Sequence, residues 1–241
     1  MLIIKSVCLS IAAILCLVFS VRLLLLSRQT RGTPEFFWGL AWFLGAIVNV
    51  FNTLTVAVNT PILNRFFHWG LEISYPMLII SLFIANWRLF RPGRLWAKAI
   101  NIAVAASLVI TWIVEITIFG FAVSLFSTDV SFVVFVCDIL ITMSFLWAAI
   151  EMWYYHRLFK RRALIGLASP FLSIRYLLWF AASIMLLMHW FVLWSRYLVA
   201  TPYWLNSITL PILLLLSISF MWITFFPPRF LRERYAEDQA Q

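Results

Sequence analysis

Residues 98–119 read KAINIAVAASLVITWIVEITIF, and this stretch shows how the chain is built. After Lys98 it contains a single charged residue, Glu115, and its apolar residues do not alternate as they would in a half-buried strand. A helix needs about 20 mainly apolar residues to cross the roughly 30 Å hydrocarbon core of a bilayer. Residues 98–119 have that length and composition, so we predict a membrane-spanning helix.

The same pattern repeats along the whole chain. Of its 241 residues, 64% are hydrophobic and 11% are charged, whereas soluble domains average about 45–50% apolar and about 25% charged residues. The first block begins like a signal peptide, but its apolar run continues to Leu26 and no small-residue cleavage site follows, so we treat it as a helix. We predict an all-α polytopic membrane protein, with a seven-helix transmembrane bundle over residues 1–228 and a short cytoplasmic tail over 229–241. The helices are expected at approximately 4–26, 36–58, 66–88, 98–119, 130–154, 175–196 and 203–226.

Basic residues are concentrated on one side of the predicted bundle. Every Lys and Arg except Lys5, Arg65 and Arg196 falls near the same ends of the helices or in the tail. Because positive charge accumulates on the cytoplasmic side of membrane proteins, we predict an N-terminus outside and a C-terminus in the cytoplasm. Topology and attraction to anionic inner-leaflet lipid explain the net charge of +9. The expected partner is therefore the lipid bilayer, with no nucleic acid.

Polar residues within the predicted spans are few, and they fall at a similar depth. In HWGLE, residues 68–72, His68 and Glu72 are four apart and share one face of a helix. At 1.5 Å per residue, polar groups on four other helices lie in the same outer half of the membrane. They are Asn49 and Asn52 on the second helix, Glu115 on the fourth, Asp138 on the fifth and His189 on the sixth. Because charged groups at this depth are costly unless they are paired, neutralised or hydrated, we expect a shared polar chamber that opens outward.

Three interpretations of this chamber remain open. The first is a metal site, since imidazole and carboxylate suit zinc, copper or iron, although the H-x-x-x-E spacing alone is a weak signal. The candidate metal ligands are His68, Glu72, Asp138 and His189, with Glu115 beside them. The second is a site for a small ligand or for proton-linked binding, which closely spaced carboxylates favour. In the third, the carboxylates pair with Arg, His or Asn and only fix helix packing.

We expect an integral membrane sensor or accessory subunit, because no output domain is evident and a signal must then pass through a partner protein. An outer pocket would bind a small ligand or cation, and basic cytoplasmic loops would couple to the partner. The coupling residues are expected to be Arg88, Arg91, Arg94, Arg157, Lys160, Arg161 and Arg162. A proton-linked or cation transporter is the alternative, although no internal repeat is evident and polar residues thin out below Asp138. An intramembrane metal-dependent hydrolase would need a metal and an activated water, so an enzyme is the less favoured class.

Two resemblances bear on these expectations. The seven-helix layout with an outside N-terminus resembles that of microbial rhodopsins, but their retinal requires a lysine in the last helix and residues 205–226, LNSITLPILLLLSISFMWITFF, contain none. Retinal is therefore disfavoured as a cofactor. More closely, the chain resembles a group of bacterial seven-helix membrane proteins without an established activity. The matching segments are RGTPEFFWGLAWFLG at 31–45, WRLFRPGRLWA at 87–97, RRALIGLASPFLSIRYLLW at 161–179 and FFPPRF at 225–230. The resemblance implies a multi-pass protein of the bacterial inner membrane and carries over no site residues.

Overall fold

The computed structural model describes residues 2–57, 60–123, 132–198 and 203–228. Within these ranges the chain forms seven helices and no strand. The helices are α1 Leu2–Thr30, α2 Thr33–Ala57, α3 Pro61–Phe90, α4 Leu95–Val123, α5 Phe132–Leu164, α6 Pro170–Leu198 and α7 Tyr203–Phe225. The all-α prediction is therefore confirmed for the described part of the chain.

Six helices, α1 to α6, are long and apolar enough in their described residues to cross a membrane. Their apolar segments range from 20 residues in α4 to 30 residues in α5. In α7 the apolar segment found among the described residues is shorter, Ile212–Phe225. These lengths and compositions indicate a multi-pass membrane protein in a lipid bilayer. The seventh span and the orientation of the termini stay predictions, and residues 229–241 lie outside the described residues.

The helices extend beyond the predicted apolar blocks. α5 continues to Leu164, ten residues past the predicted limit, and α6 begins at Pro170, before the predicted start near residue 175. Hydropathy falls where charged residues begin, but backbone hydrogen bonding within a helix does not depend on that change. Arg161 and Arg162 lie in the last turn of α5, where positive charge interacts favourably with the helix dipole.

Two compact units divide the chain, Met1–Ser144 and Phe145–Gln241, and the boundary between them falls within α5. The first unit contains α1 to α4 and the beginning of α5, and the second contains the rest of α5 with α6 and α7. The single domain over residues 1–228 stays a prediction.

In the first unit, α1 and α2 approach closely at Gly39. The hydroxyl of the fully buried Ser20 donates a hydrogen bond to the Gly39 carbonyl oxygen at 2.7 Å. A Cβ atom at Gly39 would lie 2.9 Å from Cγ of Leu24 and 3.2 Å from its backbone nitrogen. The rings of Phe19 and Trp42 meet edge to face, with centroids 5.2 Å apart. Small residues and interhelical hydrogen bonds of this kind stabilise helix pairs in membranes, where lipid is as apolar as the side chains.

A second close approach joins α2 to α3. A Cβ atom at Gly70 would overlap the ring of Phe51, whose centroid lies 6.1 Å from that of Phe67. Gly45 is less crowded, because a Cβ atom there would lie 3.5 Å from Cδ1 of Leu78, an ordinary van der Waals distance. A Cβ atom at position 70 would therefore require the Phe51 ring to move, whereas one at position 45 would fit without any shift.

One face of α1 is exposed and entirely aliphatic. The residues on it recur every three or four positions, which places them on one side of the helix. They are Val7, Ile11, Ile14, Val18, Val21 and Leu25, each 44–61% exposed. Such a face is unfavourable in water and suits contact with hydrocarbon.

In the second unit, Arg175 of α6 donates a hydrogen bond to a backbone carbonyl at the end of α7. α7 ends at Phe225, and residues 226–228 read FPP. Because residue 228 is a proline and has no N–H, the Thr224 carbonyl loses its normal helical donor. The Arg175 Nε–H donates to that carbonyl oxygen instead, at 2.9 Å. A guanidinium at a helix C-terminus also interacts favourably with the helix dipole.

Two further contacts hold α6 against α7. The Ser217 hydroxyl donates to the Ala182 carbonyl oxygen at 3.1 Å, and both residues are fully buried. The rings of Trp179 and Phe225 meet edge to face with centroids 5.0 Å apart. α6 and α7 are thus joined by polar and aromatic contacts along their length.

Candidate functional site

The central feature of the site is a buried carboxylate on α5. Asp138 is 2% exposed, and the Tyr75 hydroxyl on α3 donates a hydrogen bond to its Oδ1 at 2.6 Å. The Thr142 hydroxyl, one turn along α5, donates to the Asp138 backbone carbonyl at 2.7 Å. A carboxylate buried in a membrane-spanning helix needs a donor, a counter-charge, a proton or water. Tyr75 supplies one such donor from a neighbouring helix.

The face of α3 that carries Tyr75 also carries the predicted pair. His68, Glu72 and Tyr75 are spaced four and three residues apart, so they lie on one side of the helix. His68 is exposed, whereas Glu72 and Tyr75 are half-buried. Exposure therefore falls along this face from His68 to Tyr75 and the buried Asp138, and a pocket that opens at the His68 end stays a prediction.

The two predicted asparagines of α2 form hydrogen bonds within their own helix, Asn49 through its side chain and Asn52 through its backbone. The Asn49 side chain donates from Nδ2 to the Gly45 carbonyl oxygen at 2.8 Å. The Asn52 backbone carbonyl accepts from the Thr55 hydroxyl at 3.0 Å. Both asparagines are half-buried. Their membership of a shared chamber stays a prediction.

His189 lies in the second unit, where it joins α6 to α7. Its Nδ1 is 3.0 Å from the Leu210 carbonyl oxygen. Because a carbonyl oxygen can only accept, Nδ1 must carry a proton in this hydrogen bond. The bond holds α6 against α7. Glu115 lies on α4, but its side chain is outside the described residues.

The structure gives the metal interpretation no support. Among the described residues, no three His, Cys, Asp or Glu side chains are grouped so that they could hold a metal ion. The metal set of His68, Glu72, Asp138 and His189 therefore stays a prediction.

A second polar pair joins α3 to α5 and was missed by sequence reasoning. Asn86 is fully buried, and its Nδ2 donates to the Ser144 carbonyl oxygen at 2.9 Å and to the Ser144 hydroxyl at 3.1 Å. Its Oδ1 is buried and has no partner among the described residues. Asn86 lies eleven residues after Tyr75, three turns along the same side of α3. An amide inside an apolar span was the signal that could have identified it.

Between these two pairs the same helices carry a buried aliphatic layer. Ile79 and Leu82 lie between Tyr75 and Asn86 on α3, and Ile141 lies between Asp138 and Ser144 on α5. These three side chains are 0%, 3% and 4% exposed. They separate the two polar pairs along each helix.

A separate cleft of about 270 Å³ lies between α1 and α2. It is lined by Ser10, Ala13, Ile14, Val50, Thr53 and Leu54. Aliphatic side chains dominate it, and Ile14 and Val50 belong to the exposed surface of their helices. None of the predicted site residues lines this cleft, so it is distinct from the polar site.

The predicted coupling residues are largely accessible. Arg88, Arg94, Arg157, Lys160, Arg161 and Arg162 are exposed, and Arg91 is half-buried. The Arg91 N–H also donates to the Trp87 carbonyl oxygen at 2.9 Å, which caps the end of α3. The basic ends of α3 and α5 are therefore accessible, and their coupling role stays a prediction.

No protein-family model matches the chain, and neither a curated protein nor a solved structure matches it. These comparisons add no support to the resemblance to bacterial seven-helix proteins, which stays a resemblance. The functional conclusion therefore depends on the chemistry of the site.

Proposed function

We propose that this protein is a sensor or accessory subunit of the bacterial inner membrane that binds a small cationic ligand through Asp138. The observation that carries the proposal is the Asp138 carboxylate, 2% exposed and held by the Tyr75 hydroxyl at 2.6 Å. Ionisable residues inside membrane spans are costly and commonly mark binding sites or ion paths. A buried carboxylate attracts a cationic ligand and repels an anionic one.

The shape of the site favours binding over passage through the protein. His68 and Glu72 lie on the same face as Tyr75 and toward the exposed end, so a ligand would enter from there. The buried layer of Ile79, Leu82 and Ile141 lies immediately beyond Asp138. A ligand that binds at Asp138 without passing this layer would act as a signal and would not be transported. Basic residues at the ends of α3 and α5 would then couple the liganded state to a partner protein.

A cation or proton carrier is the second candidate, and Asn86 favours it. Its Oδ1 is a buried acceptor without a partner among the described residues, on the far side of the aliphatic layer. A carrier needs polar sites on both sides of its central apolar layer. Asn86 with Ser144 would form the second of these sites. Flux measurements in liposomes distinguish the two candidates, because a sensor should give no flux of the cation that it binds.

The test of the proposed function is stabilisation by defined cations in nanodiscs of zwitterionic lipid. Thermal unfolding would be followed with monovalent and divalent metal cations and with the organic cations choline and spermidine. A cation present at 100 times its dissociation constant should stabilise the protein by about 2.7 kcal/mol. Asp138→Asn should abolish the effect.

Glu151→Gln is the matched control for that experiment. Glu151 is a second buried carboxylate on α5, 5% exposed, so this substitution also removes a carboxylate from the helix. The control variant should keep the cation response. The proposal is wrong if no cation in the panel stabilises the wild-type protein, or if Asp138→Asn responds as the wild type does.

A further inference from the structure

Three aromatic rings stack between the end of α5 and the beginning of α6. The Phe159 and Tyr176 rings are nearly parallel, at 4°, with centroids 5.2 Å apart. Tyr155 stacks on Tyr176 at 5.4 Å and on Phe159 at 6.3 Å. These three residues, here called the ring stack, form a rigid wall. The neighbouring His156 reinforces it, because its Nδ1 lies 2.9 Å from a backbone carbonyl oxygen of α6.

Two guanidinium groups lie beside this wall. The Arg162 Cζ is 5.8 Å from the Phe159 ring centroid, and the Arg157 Cζ is 5.4 Å from the Trp153 centroid. Both arginines are exposed, and neither is paired with a carboxylate in the part of the chain that the structure describes. Contact with a ring face restrains a guanidinium but leaves its N–H donors available for an anion.

The depth of the two arginines matches the phosphate layer of a bilayer. Trp153 and Tyr154 are 41% and 52% exposed, and exposed aromatic residues near the end of a span mark the membrane interface. Arg157 lies about 4.5 Å and Arg162 about 12 Å further along the helix axis than Tyr154. The headgroup layer extends about 5–8 Å beyond the hydrocarbon on each side. Arginine side chains are long enough to reach phosphates from both positions.

The chain then turns and exposes aliphatic side chains. Gly166 adopts a positive φ of 72°, and the Leu167 N–H donates to the Arg162 carbonyl oxygen at 2.9 Å. Leu164, Ile165 and Leu167 are 81%, 69% and 74% exposed. Exposed aliphatic residues next to a basic cluster are typical of surfaces that contact anionic lipid.

We infer that Arg157, Arg162 and the ring stack bind the phosphate of an anionic phospholipid headgroup. The guanidiniums would donate hydrogen bonds to the phosphate oxygens, while the ring stack holds α5 and α6 in register beneath the headgroup. The inference is independent of Asp138, and it assigns Arg157 and Arg162 to lipid rather than to a protein partner. The remaining basic residues of the α3 end would stay available for coupling.

The test compares the purified protein in nanodiscs of phosphatidylcholine alone and of phosphatidylcholine with 30% phosphatidylglycerol. Native mass spectrometry would count the lipids of each class that stay bound on release from the disc. The wild type should retain phosphatidylglycerol in excess over its share of the disc. Because Arg157→Gln with Arg162→Gln removes both guanidinium donors to the phosphate, this double variant should weaken retention about 10- to 30-fold.

The control is Arg94→Gln with Lys98→Gln, two exposed basic residues at the α3–α4 turn. It removes the same charge from the protein and should retain phosphatidylglycerol as the wild type does. Both double variants should unfold at the wild-type temperature in pure phosphatidylcholine, which shows that they are folded. Equal loss in the two double variants would overturn the inference, because the effect would then be one of net charge.

Two further outcomes would also overturn it. If inorganic phosphate or glycerol phosphate, added to phosphatidylcholine discs, stabilised the wild type but not the Arg157/Arg162 variant, the site would bind soluble phosphate. If the wild type retained both lipids in proportion to the disc, the basic end of α5 would be assigned to an acidic protein partner instead.

Discussion

Tyr75 and Asp138 are 63 positions apart in the chain, yet the Tyr75 hydroxyl lies 2.6 Å from the Asp138 carboxylate. The hydrogen bond connects α3 to α5 at a position where Asp138 is almost completely buried. Water competes poorly for a group in such a place, so the pair contributes both to helix packing and to the chemistry of the site. Its two roles can be separated by mutation.

Tyr75→Phe and Asp138→Ala, which removes the acceptor, should be energetically coupled. Hydrogen bonds between membrane helices contribute about 0.6 kcal/mol on average and up to about 1.7 kcal/mol in double-mutant cycles. Because this bond is short and has an acidic acceptor, we expect a coupling free energy of about 1–1.7 kcal/mol. The free energy of unfolding of the four proteins would be measured by SDS titration in mixed micelles.

Tyr154→Phe is the control for the first prediction, since Tyr154 is 52% exposed. Combined with Asp138→Ala it should show no coupling. Additive effects of Tyr75→Phe and Asp138→Ala would mean that the hydrogen bond contributes nothing to stability.

The fold class followed from the sequence because membrane-spanning length is a local property. Any run such as residues 98–119 shows it without knowledge of the rest of the chain. The ends of the helices were harder to predict from the sequence. For example, α5 continues to Leu164 although its apolar block stops near residue 154. Helical hydrogen bonding continues through basic residues, whereas a boundary based on hydropathy falls where these residues begin.

The site was only partly predictable for a similar reason. The four-residue spacing of His68 and Glu72 is a local property of the sequence, and it places both residues on one face of α3. The partner of Asp138 depends on how α3 and α5 are rotated about their axes, which composition does not encode. Tyr75 was also overlooked because a tyrosine in an apolar run looks like a packing or interfacial residue.

Gly39→Ala should destabilise the protein, whereas Gly45→Ala should not. Both glycines lie on α2, so the two substitutions gain the same helix propensity. A Cβ atom at Gly39 would be 3.2 Å from the Leu24 backbone nitrogen, which cannot move without separating α1 from α2. Overpacking of this kind costs about 1–3 kcal/mol. A Cβ atom at Gly45 meets Leu78 at 3.5 Å, a normal contact.

Thermal unfolding in the same detergent would compare the two glycine variants directly. Gly39→Ala should also weaken the Ser20 hydrogen bond to the position-39 carbonyl, so Ser20→Ala should cost less in the Gly39→Ala background than in the wild type. Equal stability of the two glycine variants would contradict the close approach of α1 and α2.

Asn86→Ala should cost more than Ser144→Ala, although the two residues are partners. The Asn86 amide donates both to the Ser144 carbonyl and to its hydroxyl, and only the second bond is lost in Ser144→Ala. We expect about 0.5 kcal/mol for Ser144→Ala and about 1–2 kcal/mol for Asn86→Ala. SDS titration of the single variants measures the difference. Equal costs would mean that the bond to the backbone carbonyl is not formed.

Arg175→Met should destabilise the contact between α6 and α7 while keeping the aliphatic part of the side chain. The substitution removes the donor to the Thr224 carbonyl, which has no helical donor because residue 228 is proline. A hydrogen bond from a charged donor contributes about 1.5–3 kcal/mol, and we expect a loss within that range. Arg161→Met, at an exposed position, should change stability by less than about 0.5 kcal/mol.

Pro228→Ala restores an N–H at position 228, so in the Arg175→Met background it should recover part of the loss. Unfolding free energies of the single and double variants check this, and a full-size loss with no recovery would indicate that Arg175 stabilises the contact through packing alone.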